Sequence, residues 1–125
     1  MSLVDMKALE ERARKDFEFT RETRYFNGAI KLGIADEDYL LTFEDGKLEG
    51  VSKGSLPDAD CKIVIRGTKE HWTNLLAWKP KPFYQCLQSS AVKHGLQISD
   101  TNETFAYLPA LNRMTTLMRQ IVKEG

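Results

Sequence analysis

Hydrophobic residues in this chain keep a sustained two-residue rhythm between about residues 29 and 66, with a brief return at 96–98, and elsewhere the spacing changes to three and four. Alternation puts every second side chain on one face of a strand, whereas recurrence at i+3 and i+4 marks one face of a helix. Strands gathered in one stretch and helices in its flanks predict an α+β fold: a five-stranded, mainly antiparallel sheet covered on one face by helices. Ile30, Leu32 and Ile34 share a face of the first strand, and Tyr39, Leu41 and Phe43 a face of the second. Asp45-Gly46 then supplies the two positive-φ positions of a tight hairpin turn. Lys47 to Ser52 reads as the third strand, weakened by Gly50, and a turn follows at Ser55-Leu56-Pro57-Asp58. Cys61, Ile63 and Ile65 alternate with Lys62, Val64 and Arg66 as the fourth. Four consecutive strands with short turns predict an antiparallel meander.

The flanks are helical. Met6, Leu9, Ala13 and Phe17 form the stripe of a first helix starting near Asp5, with Glu10–Arg14 and Glu11–Lys15 pairs on its wet side. Thr68 is the expected N-cap of a second helix that carries Glu70 in its first turn and Trp72, Leu75 and Leu76 on one side. Lys79-Pro80-Lys81-Pro82 ends it. Pro82 is the expected first residue of a third helix with Phe83, Leu87 and Ala91 in line, closed at Lys93-His94-Gly95. Leu96-Gln97-Ile98 reads as a short fifth strand, and Asp100 with Glu103 as a capping-box start. Pro109 must kink or split the last helical stretch. Its stripe is Leu111, Met114, Met118 and Ile121, widened by Leu117 and Val122.

A length of 125 residues predicts one domain over 1–125, with 1–3 and 124–125 read as expression-derived ends. Eighteen basic and eighteen acidic side chains cancel, which argues against nucleic acid as a partner. The balance is uneven along the chain. Residues 26–60 hold three basic against eight acidic groups, and residues 61–125 hold nine against four. That asymmetry suits internal pairing, or a basic face for an anionic ligand. No leader-like or membrane-spanning run is visible, so a cytoplasmic setting is expected. Cys61 and Cys86 have no metal-type spacing and are expected to be free thiols.

Enzyme motifs are absent: there is no GxGxxG, P-loop, GxSxG or HExxH. Asp36-x-Asp38 starts like a calcium loop, but Leu40 and Leu41 fall where an oxygen ligand and a glycine are needed. No catalytic residue, metal or cofactor is expected. His71 and His94 are the only histidines, and an enzymatic reading would have to rest on one of them.

Three stretches resemble the sterol carrier protein type 2 family. They are Leu41–Gly50 (LTFEDGKLEG), Asp58–Gly67 (DADCKIVIRG) leading to Trp72 and Leu75, and Val92–Asp100 (VKHGLQISD). The resemblance spans roughly residues 25 to 123 and rests on their order. It implies an apolar tunnel between sheet and helices, and noncatalytic binding or transfer of a fatty acid, fatty acyl-CoA, sterol or similar lipid. Ser99 stands where the family pattern usually has glycine, and Lys79-Pro80-Lys81-Pro82 replaces a glycine-bearing loop. On this reading the lipid tail lies against Trp72, Leu76, Phe83, Leu87, Leu108, Leu111, Met114 and Met118, and the headgroup meets Lys79, Lys81 and Lys93. Ile30, Leu32, Leu41, Phe43, Ile63 and Ile65 are expected to be core. The partner is a small lipid, with transient membrane-surface contact, a homodimer or a partner enzyme as further contacts. Two alternatives stay open: an interaction or dimerisation module using the apolar helix face, and a small enzyme using His71 or His94.

Overall fold

A computed structural model describes residues 3–54, 56–99 and 101–124. Helices α1 (Met6–Lys15) and α2 (Phe17–Glu22) lead into strands β1 (Gly28–Ile34), β2 (Glu37–Glu44) and β3 (Lys47–Lys53). A 3₁₀ turn at Asp58–Asp60 precedes β4 (Ile63–Gly67) and α3 (Lys69–Leu75). The chain ends with α4 (Leu87–His94), β5 (Gln97–Ile98), α5 (Asn102–Ala106) and α6 (Leu108–Glu124).

The five strands lie in the order β3-β2-β1-β4-β5. The predicted α+β class and mainly antiparallel sheet are observed, but the four-strand meander is not. β1, β2 and β3 form the meander, and β4 then crosses back to pair in parallel with β1, Ile30 opposite Ile63 and Leu32 opposite Ile65. Alternation reports which side chains share a face and is silent on which strand is the neighbour. Central position does leave a trace: β1 is buried from Ala29 through Ile34, on both faces. A strand covered on both sides has no solvent face for polar residues to occupy.

Burying both faces of β1 also buries Lys31, which is 5% exposed. Its ammonium donates to the Leu56 carbonyl at 2.8 Å and to Asp58 at 2.9 Å, with Asp38 at 3.6 Å. Arg66 makes a forked pair with the same Asp58 carboxylate, at 2.8 and 3.1 Å. The crossover segment is thus hooked onto the outer sheet face by charge. Arg66 and Lys31 hold the Asp58 carboxyl well below the usual carboxylate range.

The hairpin turn is as expected, with Asp45 at φ 50° and Gly46 at φ 81°. Its tip is tied inward by Asp45 N–H to Asn27 Oδ1 (2.6 Å) and Gly46 N–H to the Phe26 carbonyl (2.9 Å). The first helix departs from its predicted stripe. Asp16 is extended and caps a new helix by accepting from Phe19 N–H at 2.9 Å. The break resets the phase, so Phe19 is buried and Phe17 is 76% exposed. Asp5 caps α1, its carboxylate accepting from the Lys7 and Ala8 N–H groups at 3.1 Å.

Thr68 caps α3 as predicted, and His71 completes the capping box by accepting from Thr68 N–H at 3.1 Å. Pro82 does not open a helix: α4 begins five residues later, with Cys86 as N-cap, and ends on Gly95 at φ 80°. Asp100 lies outside the described residues, and Thr101 caps α5. α5 and α6 are separate helices meeting at Tyr107, so Pro109 falls in the first turn of α6, where its missing donor is harmless. Among the described residues no helix is long and apolar enough to cross a membrane.

Candidate functional site

One apolar cluster fills the space between the inner sheet face and the helices. The sheet contributes Ile30, Leu32, Leu41, Phe43, Ile63 and Ile65, each at most 4% exposed, as expected for core. α3 contributes Trp72 and Leu75, followed by Leu76, α4 contributes Leu87, and α6 contributes Leu111, Met114, Leu117 and Met118. All eight are sealed from solvent. Each helix buries these residues because they recur at helical spacing, so one face of each carries them all.

Of the eight predicted tail residues, the structure brings seven to this layer: Trp72, Leu76, Leu87, Leu111, Met114 and Met118 fully buried, and Leu108 packed at its edge. Phe83 is the exception. It is not in α4, its backbone is left-handed (φ 68°), and its ring is 47% exposed. The three predicted headgroup lysines, Lys79, Lys81 and Lys93, are exposed. Lys93 Nζ sits 5.3 Å above the Phe83 ring, while Lys79 and Lys81 pair with no carboxylate among the described residues.

The wall at Trp72 is fixed. Its indole N–H donates to the Gly33 carbonyl at 2.9 Å, joining α3 to the sheet. In the same layer α6 carries two buried methionines, Met114 and Met118, whose unbranched side chains re-pack around different shapes more readily than leucine or isoleucine. Polar contacts hold α6 along its length. Arg113 forks onto Asp16 at 2.9 and 2.8 Å, Arg12 pairs with Glu124 at 2.6 Å, and Asn112 Oδ1 accepts from Leu87 N–H at 3.1 Å. The Arg113 guanidinium holds the Asp16 carboxyl below its ordinary range. Arg119 donates to the Leu75 carbonyl at 3.1 and 2.6 Å, covering the end of α3. These contacts join residues far apart in sequence, and no spacing rule would have found them.

Residues 76–86, between α3 and α4, form the part of the cover without helix or strand. Both histidines have structural partners here or nearby: His94 stacks on Tyr84 (3.8 Å between centroids, 5° between planes) and bonds the Pro82 carbonyl at 3.0 Å, while His71 serves the α3 cap. Ser99, in the position unusual for the resemblance, lengthens the β4–β5 pairing: its hydroxyl oxygen accepts from Val64 N–H at 2.9 Å and its own N–H donates to the Val64 carbonyl at 2.8 Å. Cys61 and Cys86 are free and half-buried.

Open clefts of similar size lie elsewhere among the described residues. One of about 460 Å³ runs between α1–α2 and the hairpin, over Ala13, Phe19 and Leu48 with Arg14, Arg24 and Lys47 at its margins. A second, of about 480 Å³, follows the outer face of β4 and β5, and a third, of about 410 Å³, lies at the start of α3 beside His71. None is lined by any of the eleven predicted site residues.

The architecture, a β3-β2-β1-β4-β5 sheet backed on one face by helices over an apolar layer, is that of sterol carrier protein 2. A crystal structure of sterol carrier protein 2 superposes with TM-score 0.70 at 14% identity, covering 92% of this chain and 93% of that one. A conserved hypothetical protein from Thermus thermophilus, described as possibly a sterol carrier protein, gives TM-score 0.63 at 18% identity, over 97% and 90% of the two chains. The ubiquinone synthesis protein UbiJ-SCP2 gives 0.57 at 11% identity, over 88% and 86%. No protein-family model matches the sequence, and no curated protein does. The chain therefore has the sterol carrier protein 2 fold.

Proposed function

We propose that this protein binds an amphipathic lipid noncatalytically, a fatty acid, fatty acyl-CoA, sterol or similar molecule, with its tail between the sheet and α6. The observation that carries this reading is the pairing of a fixed wall at Trp72 with the adaptable Met114 and Met118 on α6, in a fold shared with a sterol carrier protein. Leu76, Leu87, Leu108 and Leu111 complete the contact surface. An acyl chain of about 14 methylenes gains on the order of 11 kcal/mol on burial. Association and ordering costs reduce this to about micromolar affinity.

An empty cavity of about 300 Å³ would cost about 7 kcal/mol, comparable to the stability of a whole domain. The unliganded layer is therefore expected to close on itself, and a guest to part it. The contacts of Arg113, Arg12 and Arg119 tie α6 to its neighbours, so the segment 76–86 is the side that yields. Lys79 and Lys81, on that segment, and Lys93 beyond it would meet an emerging carboxylate or phosphate.

Native mass spectrometry of freshly purified protein, followed by displacement of a fluorescent fatty acid, tests the proposal. A small molecule in fixed ratio, or displaceable binding weakened at least tenfold by Leu111→Trp, supports it. A bare mass without fluorescent-ligand binding rejects it.

A further inference from the structure

Phe83 is held where an ordinary side chain resists being held. A non-glycine residue in the left-handed region is disfavoured, and such strain persists only when the surroundings enforce it. They do so here. The Phe83 carbonyl accepts from the hydroxyls of Ser89 (2.8 Å) and the fully buried Ser90 (3.1 Å), while His94 fixes the preceding carbonyl and stacks on the following ring. The strain is not relieved by burying the ring, which stays half in water.

The stretch of chain around it has one chemical character. Trp78 is 50% exposed, Val92 is 79% exposed, and Lys79, Lys81 and Lys93 are exposed along the same stretch. Five residues span at most about 18 Å, so Trp78 and Phe83 are near neighbours on the scale of a membrane contact. Lys123 adds a cation 3.7 Å above the Trp78 ring. No aspartate or glutamate occurs from His71 through Ser99. The other exposed aromatics carry no such sign: Phe17 and Tyr25 are interleaved with Glu18 and Glu22 as well as arginines, and Phe105 follows Glu103.

We propose that the Trp78–Phe83 segment, with Val92 and Lys93, is a docking surface for an anionic lipid bilayer. Aromatic rings seat at the headgroup boundary, and lysines among them meet anionic headgroups while their stems lie along the apolar margin. An acidic protein would also satisfy the charge, but exposed aromatic rings set among lysines whose stems cover apolar surface are the composition that seats at a membrane–water interface. The inference does not depend on a guest in the interior, though a protein that exchanges lipid gains from docking through the segment that opens.

The test is vesicle co-sedimentation of guest-free protein, using phosphatidylcholine alone or with about one-third phosphatidylserine. Binding is expected to the anionic vesicles and not to the neutral ones, and to fade as salt rises from about 0.05 to about 0.5 M. The triple variant Lys79→Ala/Lys81→Ala/Lys93→Ala should bind about 100-fold more weakly, about 1 kcal/mol per lysine. On the unaltered chain, brominated lipids should quench the exposed Trp78 component of the emission and spare buried Trp72. Equal binding to neutral vesicles, unchanged binding by a triple variant that melts like the parent, or no quenching overturns the proposal. Fluorescent fatty-acid binding in vesicle-free buffer reports on the interior separately, so either idea can fail alone.

Discussion

Replacing Trp72 with phenylalanine tests whether the fixed wall is fixed for the reason given. The indole is fully buried, and its N–H donates to the Gly33 carbonyl at 2.9 Å. Phenylalanine removes about 40 Å³, worth about 1 kcal/mol if the site does not collapse. Depriving a buried carbonyl of its donor costs about 1–3 kcal/mol more. The expected loss is about 2–4 kcal/mol, a large fraction of an ordinary domain's stability. Urea titration followed by far-ultraviolet circular dichroism, which does not need the lost chromophore, reads it out. With a slope near about 1.5 kcal/mol/M the midpoint should fall by about 1.3–2.7 M. A fall below about 0.5 M with unchanged slope would show that the hydrogen bond is dispensable and that Trp72 is ordinary filling.

Gly46 and Gly95 both have left-handed backbones, yet a Cβ at Gly46 would overlap the Arg24 carbonyl while one at Gly95 meets nothing within 4 Å. Gly46→Ala should therefore cost about 3 kcal/mol or more, and Gly95→Asn only a few tenths, in the same urea titration. Asp58 titrates in the folded protein well below its unfolded value, so its stabilising contribution is whole above about pH 4 and drains away as pH falls further. Asp58→Asn should flatten the acid limb of a stability–pH profile, and an unchanged limb would count against the Lys31–Arg66 hook. Phe83→Gly should raise the midpoint of thermal unfolding by relieving about 1 kcal/mol of strain, while weakening attachment to anionic vesicles. A lower midpoint would mean that the ring is held for packing.

Legibility differed by element. The Asp45-Gly46 turn, the Thr68 cap and the Gly95 stop were readable because each depends on a few adjacent residues with distinctive backbone preferences. Phe17 and Phe83 were misplaced for a shared reason: a helical stripe was extended through a break. At Asp16 the carboxylate caps a second helix. Past Pro82 the chain turns for several residues before α4, and i+4 spacing cannot register an interruption that happens to preserve the count. Seven of the eight residues expected to meet a lipid tail do share one apolar layer, because burial follows from helical spacing whether or not a guest is present.

What the sequence determined by itself is the five strands, the apolar stripes of α3 and α6 and the hairpin that folds β2 onto β3, since those follow from period, turn chemistry and hydrophobicity over short stretches. The place of β4 beside β1, the burial of Lys31 beneath the crossover, the fastening of α6 by Arg113 and Arg119, and the outward ring of Phe83 were decided by tertiary structure alone. Each of these depends on groups brought together from distant parts of the chain, and the free energy of such contacts exists only once the chain has closed around them.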